Sequence, residues 1–154
     1  MAQTLRPDAR ALVNWLVLFG AMASSVLVYA AVAFFFGRAG EPPETTRPVR
    51  IALWGVALVA LFVAQRLISP FRKGLAGGPG AAAPDEKAFF GRSVAALALA
   101  EAAAILGLVL VFVGGSRSDF LLLGMLALLV DFAIILPAGL AFFAKGKENR
   151  PSCT

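Results

Sequence analysis

The sequence predicts an all-α integral membrane protein, a four-helix bundle built from two antiparallel hairpins. Hydrophobic residues make up 60% of the 154 positions, and the mean hydropathy is +0.84. These residues are concentrated in four runs, and a helix needs about 20 apolar residues to cross a bilayer. Only a helix satisfies its own backbone hydrogen bonds in lipid, so each run is interpreted as a transmembrane helix. The predicted spans are residues 11–36, 51–68, 89–113 and 120–143, within a single membrane domain of residues 1–154.

Glycine and proline residues define the ends of the predicted spans. Gly37 follows the first span and Pro70 the second, and both residue types commonly end a helix. We predict a flexible loop over residues 69–88, because residues 74–84 consist of glycine, alanine, proline and one leucine. Asp85 or a residue close to it is predicted to cap the start of the third helix, since aspartate is a favoured N-cap residue.

Basic residues are distributed unevenly between the two ends of the spans, and this bias predicts the orientation. One end carries ten of them: Arg6, Arg10, Arg66, Arg72, Lys73, Lys87, Arg92, Lys145, Lys147 and Arg150. The other end carries four: Arg38, Arg47, Arg50 and Arg117. We therefore expect a multi-pass protein of the bacterial inner membrane, with both termini and the 69–88 loop in the cytoplasm. The net charge of +5 then reflects orientation in the lipid bilayer, and no nucleic-acid partner is expected.

The chain contains no histidine and one cysteine, which excludes several common functions of four-helix proteins. Structural zinc needs clusters of cysteine and histidine, and a bis-histidine haem site needs two imidazoles. Disulfide exchange needs a pair of thiols. No phosphate-binding loop or Ser/His/Asp set is present either. We therefore expect a protein that is not an enzyme, with no catalytic residues and no cofactor or metal.

Two carboxylates interrupt the apolar spans and are the main candidates for a functional site. Ser116 lies 15 residues after Glu101 and 15 before Asp131, which places both acids at one depth in an antiparallel hairpin. An ionised side chain at the bilayer centre costs at least about 2.5–3.5 kcal/mol, so such residues usually face a partner or a cavity. Ser24 and Ser25 of the first helix share this depth. The sequence predicts a midplane ion- or proton-binding site from Glu101, Asp131, Ser24 and Ser25.

Two interpretations of the carboxylates remain open at this point. Like charges in a dry site do not both ionise easily, so Glu101 and Asp131 are candidates for sharing a proton. Alternatively, protonated acids join helices through hydrogen bonds worth about 0.6 kcal/mol each. Pro137 is interpreted separately, as a residue that frees the carbonyl of Ala133 and kinks the fourth helix.

The third helix carries a short resemblance to a known family. Residues 98–109 read ALAEAAAILGLV, which resembles the carboxylate helix of the proteolipid c subunits of rotary ATPases, A-x-x-E-A-x-x-I-Y-G-L-V. The resemblance implies that Glu101 is an ion-carrying carboxylate and that the protein translocates protons or cations. The glycine-rich helix and the Arg-Gln-Pro loop of that family have no counterpart in this chain, so a rotor ring is not implied.

A longer resemblance, over about 50 residues, is to a family of uncharacterised small bacterial four-helix membrane proteins. It rests on Arg92, the segment from Ala98 to Glu101, the Gly114-Gly115 turn and the helix from Phe120 onward. That family implies no particular activity. The leading expectation is an accessory or subunit-type membrane protein, which self-associates or binds other membrane subunits. A small multidrug-type, proton-coupled transporter is a further alternative, although such transporters carry their essential glutamate in the first helix.

Overall fold

The chain folds into four long helices, and the prediction of an all-α bundle is confirmed. The computed structural model describes residues 7–37, 43–76, 85–114 and 116–148, and this part of the chain contains no strand. The helices are α1 (Pro7–Phe36), α2 (Arg47–Ala76), α3 (Glu86–Phe112), α4 (Arg117–Val130) and α5 (Leu136–Glu148). A π-helical turn over Asp131–Ile135 joins α4 to α5, so these elements form one fourth helix. All four helices are long and apolar enough to cross a membrane.

The third helix lies at the centre of the bundle. It packs against α1, α2 and α4, whereas α1 and α2 make few contacts with each other within the described residues. In the most apolar stretch of α3, 44% of the residues are buried, against 22% in the corresponding stretches of α1 and α2. Alanines such as Ala96, Ala100 and Ala103 are fully buried on α3 and let neighbouring helices approach closely. The two helices of the first predicted hairpin therefore pack mainly against α3, and not against each other, within the described residues.

Aromatic side chains close the end of the bundle where α1 begins, which we call the terminal end. Trp15 is fully buried and its ring lies 6.4 Å from that of Phe89, which in turn lies 5.2 Å from Phe71 of α2. The indole N–H of Trp15 donates to Ser93 Oγ at 3.1 Å. A side chain at Gly139 would overlap the Trp15 ring, so α1 and α5 can meet here only at a glycine.

Pro70 does not end the second helix, and that prediction was wrong. The helix continues to Ala76. Pro70 has no N–H to donate to the carbonyl of Arg66, one turn earlier. The Ser69 hydroxyl donates to that carbonyl instead, at 3.0 Å. Because this local bond replaces the missing one, the backbone remains helical through the proline.

The predicted flexible loop over residues 69–88 was therefore wrong at both of its ends. Residues 69–76 belong to α2 and residues 86–88 to α3, while residues 77–84 lie outside the described part of the chain. The predicted cap of α3 is confirmed. The Asp85 carboxylate accepts a hydrogen bond at 3.1 Å from the backbone N–H two residues ahead.

The opposite end of the bundle, where α3 turns into α4, is called the turn end. The N–H of Gly37 donates to the carbonyl of Ala33 at 2.8 Å and closes α1, as predicted. Gly114 follows α3 with φ of +101°, a conformation that favours glycine. The side chain of Arg117, at the start of α4, donates through Nε to the carbonyl of Gly37 at 2.8 Å. This bond ties the end of α1 to the start of the fourth helix.

Candidate functional site

Glu101 lies half-buried between α3 and α1, where two hydroxyl groups hold its carboxylate. Its Oε1 accepts hydrogen bonds from Ser25 Oγ at 2.7 Å and from the Tyr29 hydroxyl at 2.9 Å. Ser25 and Tyr29 are four residues apart on α1, so they share one face of that helix. Hydrogen bonds to an ionised acceptor are about twice as strong as neutral ones. The site therefore offers two donors to a negative charge on Glu101.

The Ser25 hydroxyl has a second acceptor within reach, the carbonyl of Met22 at 2.6 Å. A hydroxyl has one proton and donates to one acceptor at a time, although it can also accept. With Glu101 ionised, Ser25 donates to Oε1. With Glu101 protonated, the acid can donate to Ser25 Oγ while Ser25 donates to Met22. The same atoms thus satisfy the charged and the neutral form of Glu101.

Ser24 is not brought to this site. It is exposed on α1, and its hydroxyl donates to the carbonyl of Ala21 in its own helix at 2.8 Å. Neighbouring residues of an α-helix point about 100° apart, so Ser24 and Ser25 cannot both face Glu101. Tyr29, by contrast, was not predicted as a site residue. Its position one turn after Ser25 is the sequence signal that could have identified it.

Asp131 lies close to Glu101 but in a different environment. It is 2% exposed, and its Oδ1 has no hydrogen-bond partner among the described residues. The π-helical turn that contains Asp131 packs against α3, the helix of Glu101, and no hydrogen bond joins the two carboxyls in the described part of the chain. The structure therefore gathers Glu101, Asp131 and Ser25 into one region, with Tyr29 added and Ser24 outside it.

No basic side chain lies near the middle of any span to neutralise this pair. The four stretches without lysine or arginine run between Arg10 and Arg38, Arg50 and Arg66, Arg92 and Arg117, and Arg117 and Lys145. Burying an ionised group without a countercharge is costly, and two adjacent negative charges increase that cost. The spans therefore offer the pair no countercharge near their middle.

The backbone changes from α-helical to π-helical at Asp131 itself. The N–H of Leu136 donates to the carbonyl of Asp131, five residues back, and the next residue, Pro137, has no N–H. The predicted disturbance of the fourth helix by Pro137 therefore takes the form of a wider turn that begins at the buried acid. Single π-helical turns inside α-helices occur frequently at functional sites.

A second buried carboxylate, Asp119, was missed by the sequence analysis. It is fully buried at the turn end, where Arg50 of α2 reaches its Oδ1 with Nη2 at 2.7 Å and with Nε at 2.9 Å. Trp54 donates to the same oxygen at 3.0 Å, and the N–H of Ser116 donates to Oδ2 at 3.1 Å. The Ser-x-x-Asp spacing at the start of α4 is close to that of a capping box and could have drawn attention to Asp119.

Comparison with known proteins leaves the site to be interpreted from its geometry. No known protein family matches the chain, and no curated protein or solved structure matches it either. Within the described residues, no group of three or more histidine, cysteine, aspartate or glutamate side chains could hold a metal ion. The resemblances to proteolipid c subunits and to small bacterial membrane proteins stay predictions.

Proposed function

We propose that this chain is a multi-pass protein of the bacterial inner membrane in which Glu101 reversibly binds a proton. In this proposal the protein acts as an accessory or small subunit of a membrane assembly, and its function depends on the proton-binding site. The observation that carries the proposal is the pair of hydroxyl donors, Ser25 and Tyr29, on one oxygen of a half-buried glutamate. These hydroxyls can hydrogen-bond to Glu101 in either protonation state. No lysine or arginine lies near the middle of the spans to neutralise its charge.

The geometry favours a proton over a divalent metal cation. Ca²⁺ takes about 6–8 oxygen ligands and Mg²⁺ needs near-octahedral coordination. The described side chains supply far fewer acceptors around Glu101, and the two hydroxyls direct hydrogen atoms, rather than lone pairs, at its Oε1. Translocation of protons in the manner of a c subunit would use the same site.

Dicyclohexylcarbodiimide provides a direct test, because it modifies protonated carboxyls in apolar surroundings. The purified protein in detergent should be modified at Glu101, as mapped by mass spectrometry of its peptides. Modification should decline as the pH is raised and Glu101 loses its proton. A folded protein whose Glu101 resists the reagent at every pH would contradict reversible protonation.

The Glu101→Gln variant separates a working site from a structural one. The amide oxygen still accepts hydrogen bonds from Ser25 and Tyr29, so the fold should survive while titration is abolished. Loss of proton flux in liposomes, or of growth of the parent organism, with an intact fold supports the proposal. An unaffected Gln variant, together with a wild type resistant to carbodiimide, would leave Glu101 structural. Ser24→Ala is the matched control, since Ser24 lies at the same level and does not touch Glu101.

The proposed orientation is tested independently by reporter fusions. The excess of basic residues at the terminal end supports a cytoplasmic location for that end under the positive-inside rule. A reporter that works only outside the cytoplasm should be active when it is inserted in the segment of residues 41–46. A reporter that works only in the cytoplasm should be active when it is fused after α5. Activity of both fusions on the same side would refute the four-span topology.

A further inference from the structure

Asp131 is a buried acid whose surroundings provide nothing for a negative charge. It is 2% exposed and its Oδ1 has no partner among the described residues. The π-helical turn that holds Asp131 packs against α3, which carries another acid, Glu101. The Ser25 and Tyr29 hydroxyls donate to Glu101, and the Ser24 hydroxyl donates within its own helix. Asp119, the other buried aspartate of the fourth helix, lies 12 residues away at the turn end and is paired with Arg50.

The two carboxyls differ in how they would hold charge. A carboxylate is stabilised by the hydrogen bonds that it accepts, and a buried polar atom left without one costs about 1–3 kcal/mol. Glu101 accepts two hydroxyl hydrogen bonds on one oxygen, whereas Asp131 accepts none on Oδ1. A single negative charge shared by the pair is therefore more stable on Glu101, and a single proton is more stable on Asp131.

We propose that Asp131 is the inner member of a two-carboxyl proton relay and holds the proton in the resting protein, while Glu101 carries the charge. The inference rests on the proposed role of Glu101 and adds the group with which it exchanges protons. Exchange runs through Glu101. Asp131 passes its proton to the Glu101 carboxylate and is left ionised, Glu101 releases that proton from the pair, and the next proton binds Glu101 and returns to Asp131.

The transfer step conserves atoms and charge. When Glu101 is protonated and Asp131 is ionised, the O–H bond on Glu101 breaks and an O–H bond forms on Asp131 Oδ1, directly or through one bridging water. Glu101 becomes the carboxylate and accepts the hydrogen bonds of Ser25 and Tyr29, so the net charge of the pair stays at one negative charge. At Asp131, the inner group of the relay, the backbone of the fourth helix changes from α-helical to π-helical.

Infrared spectroscopy of isotopically labelled protein tests the assignment without changing the chain. A protonated carboxyl has a C=O stretching band that an ionised carboxylate lacks, and ¹³C in the side-chain carboxyl moves that band to lower frequency. Protein made by cell-free synthesis with ¹³C-labelled aspartate, or with ¹³C-labelled glutamate, is measured in detergent at neutral pH. We expect one protonated carboxyl band, which moves with labelled aspartate and stays in place with labelled glutamate. The Asp131→Asn variant should lose it, and Ser24→Ala should keep it.

Each alternative spectrum overturns the inference. A band that moves with labelled glutamate reverses the two roles, the absence of any band means that both acids are ionised, and bands from both labels mean that both are protonated at rest. Failure of the proposed function gives a different result. In that case the spectra of wild type and Glu101→Gln show no difference in glutamate protonation as the pH is lowered, and carbodiimide leaves Glu101 unmodified.

Discussion

Asp119 and Asp131 are both buried in the fourth helix, 12 residues apart, yet their surroundings are opposite. Asp119 accepts hydrogen bonds from Arg50, Trp54 and the Ser116 backbone, and Arg50 neutralises its charge. Asp131 lies near another acid and leaves Oδ1 without a partner in the described part of the chain. One carboxylate is fully compensated and the other is not.

The difference separates a structural acid from one that is suited to proton exchange. A fully compensated carboxylate gains nothing from binding a proton, because protonation would break its ion pair and its charge-assisted hydrogen bonds. An uncompensated acid beside a second acid breaks no ion pair when it binds a proton. Burial alone therefore does not distinguish the two roles, whereas the set of hydrogen-bond donors does.

The largest effect is expected when Asp119 loses its cation. Arg50→Met should lower the free energy of unfolding by about 3 kcal/mol, the lower end of the range for breaking a buried ion pair, because Arg50 is 38% exposed. Unfolding by denaturant in mixed detergent micelles measures the change. Arg47→Met is the matched control, since Arg47 is exposed one turn earlier on the same helix. Equal losses in the two variants would show that the ion pair contributes nothing specific.

The same substitution in the two aspartates should have unequal effects on stability. Asp119→Asn keeps an acceptor for Arg50 but removes its charge, so it should cost about 1.5–3 kcal/mol, the contribution of one hydrogen bond to a charged group. Asp131→Asn replaces a neutral acid by a neutral amide, so its effect should stay near the roughly 0.6 kcal/mol of one hydrogen bond in a membrane bundle. Both variants are measured by the same unfolding assay. A large stabilisation by Asp131→Asn would indicate that the wild-type residue is ionised at rest.

At the hydroxyls that hold Glu101, the effect on stability should be smaller than at Asp119. Ser25→Ala and Tyr29→Phe each remove a hydrogen bond to a carboxylate, which is roughly twice as strong as the ~0.6 kcal/mol bond of a membrane bundle, so each should lower the free energy of unfolding by about 1 kcal/mol. Ser24→Ala should have less effect, because its hydroxyl bonds only within its own helix. The two site variants should also raise the pH up to which carbodiimide modifies Glu101, since they remove donors from its charged form. An unchanged pH profile in both would separate the hydroxyls from proton binding.

The fold could be predicted from sequence because lipid leaves so few options for a polar backbone. Four apolar runs were enough to predict four helices, and Glu101 and Asp131 were singled out because charged residues are rare at that depth. The sequence does not fix how each helix is rotated about its axis. The predicted site therefore included Ser24, which faces away from Glu101, and omitted Tyr29, which binds it. Asp119 was missed because its countercharge, Arg50, is 69 residues away in the chain. The prediction that Pro70 ends the second helix was wrong, and the Ser69 hydroxyl donates to the Arg66 carbonyl that Pro70 leaves without a backbone donor.

The central position of α3 has a consequence for the biosynthesis of the protein. The helices α1 and α2 leave the ribosome before α3, yet within the described residues each packs mainly against α3 and the fourth helix and makes few contacts with the other. A nascent chain that has inserted only these two helices therefore holds two separate spans without a shared interface. Assembly of the bundle has to wait for α3, so the order in which the helices are inserted is not the order in which they come together.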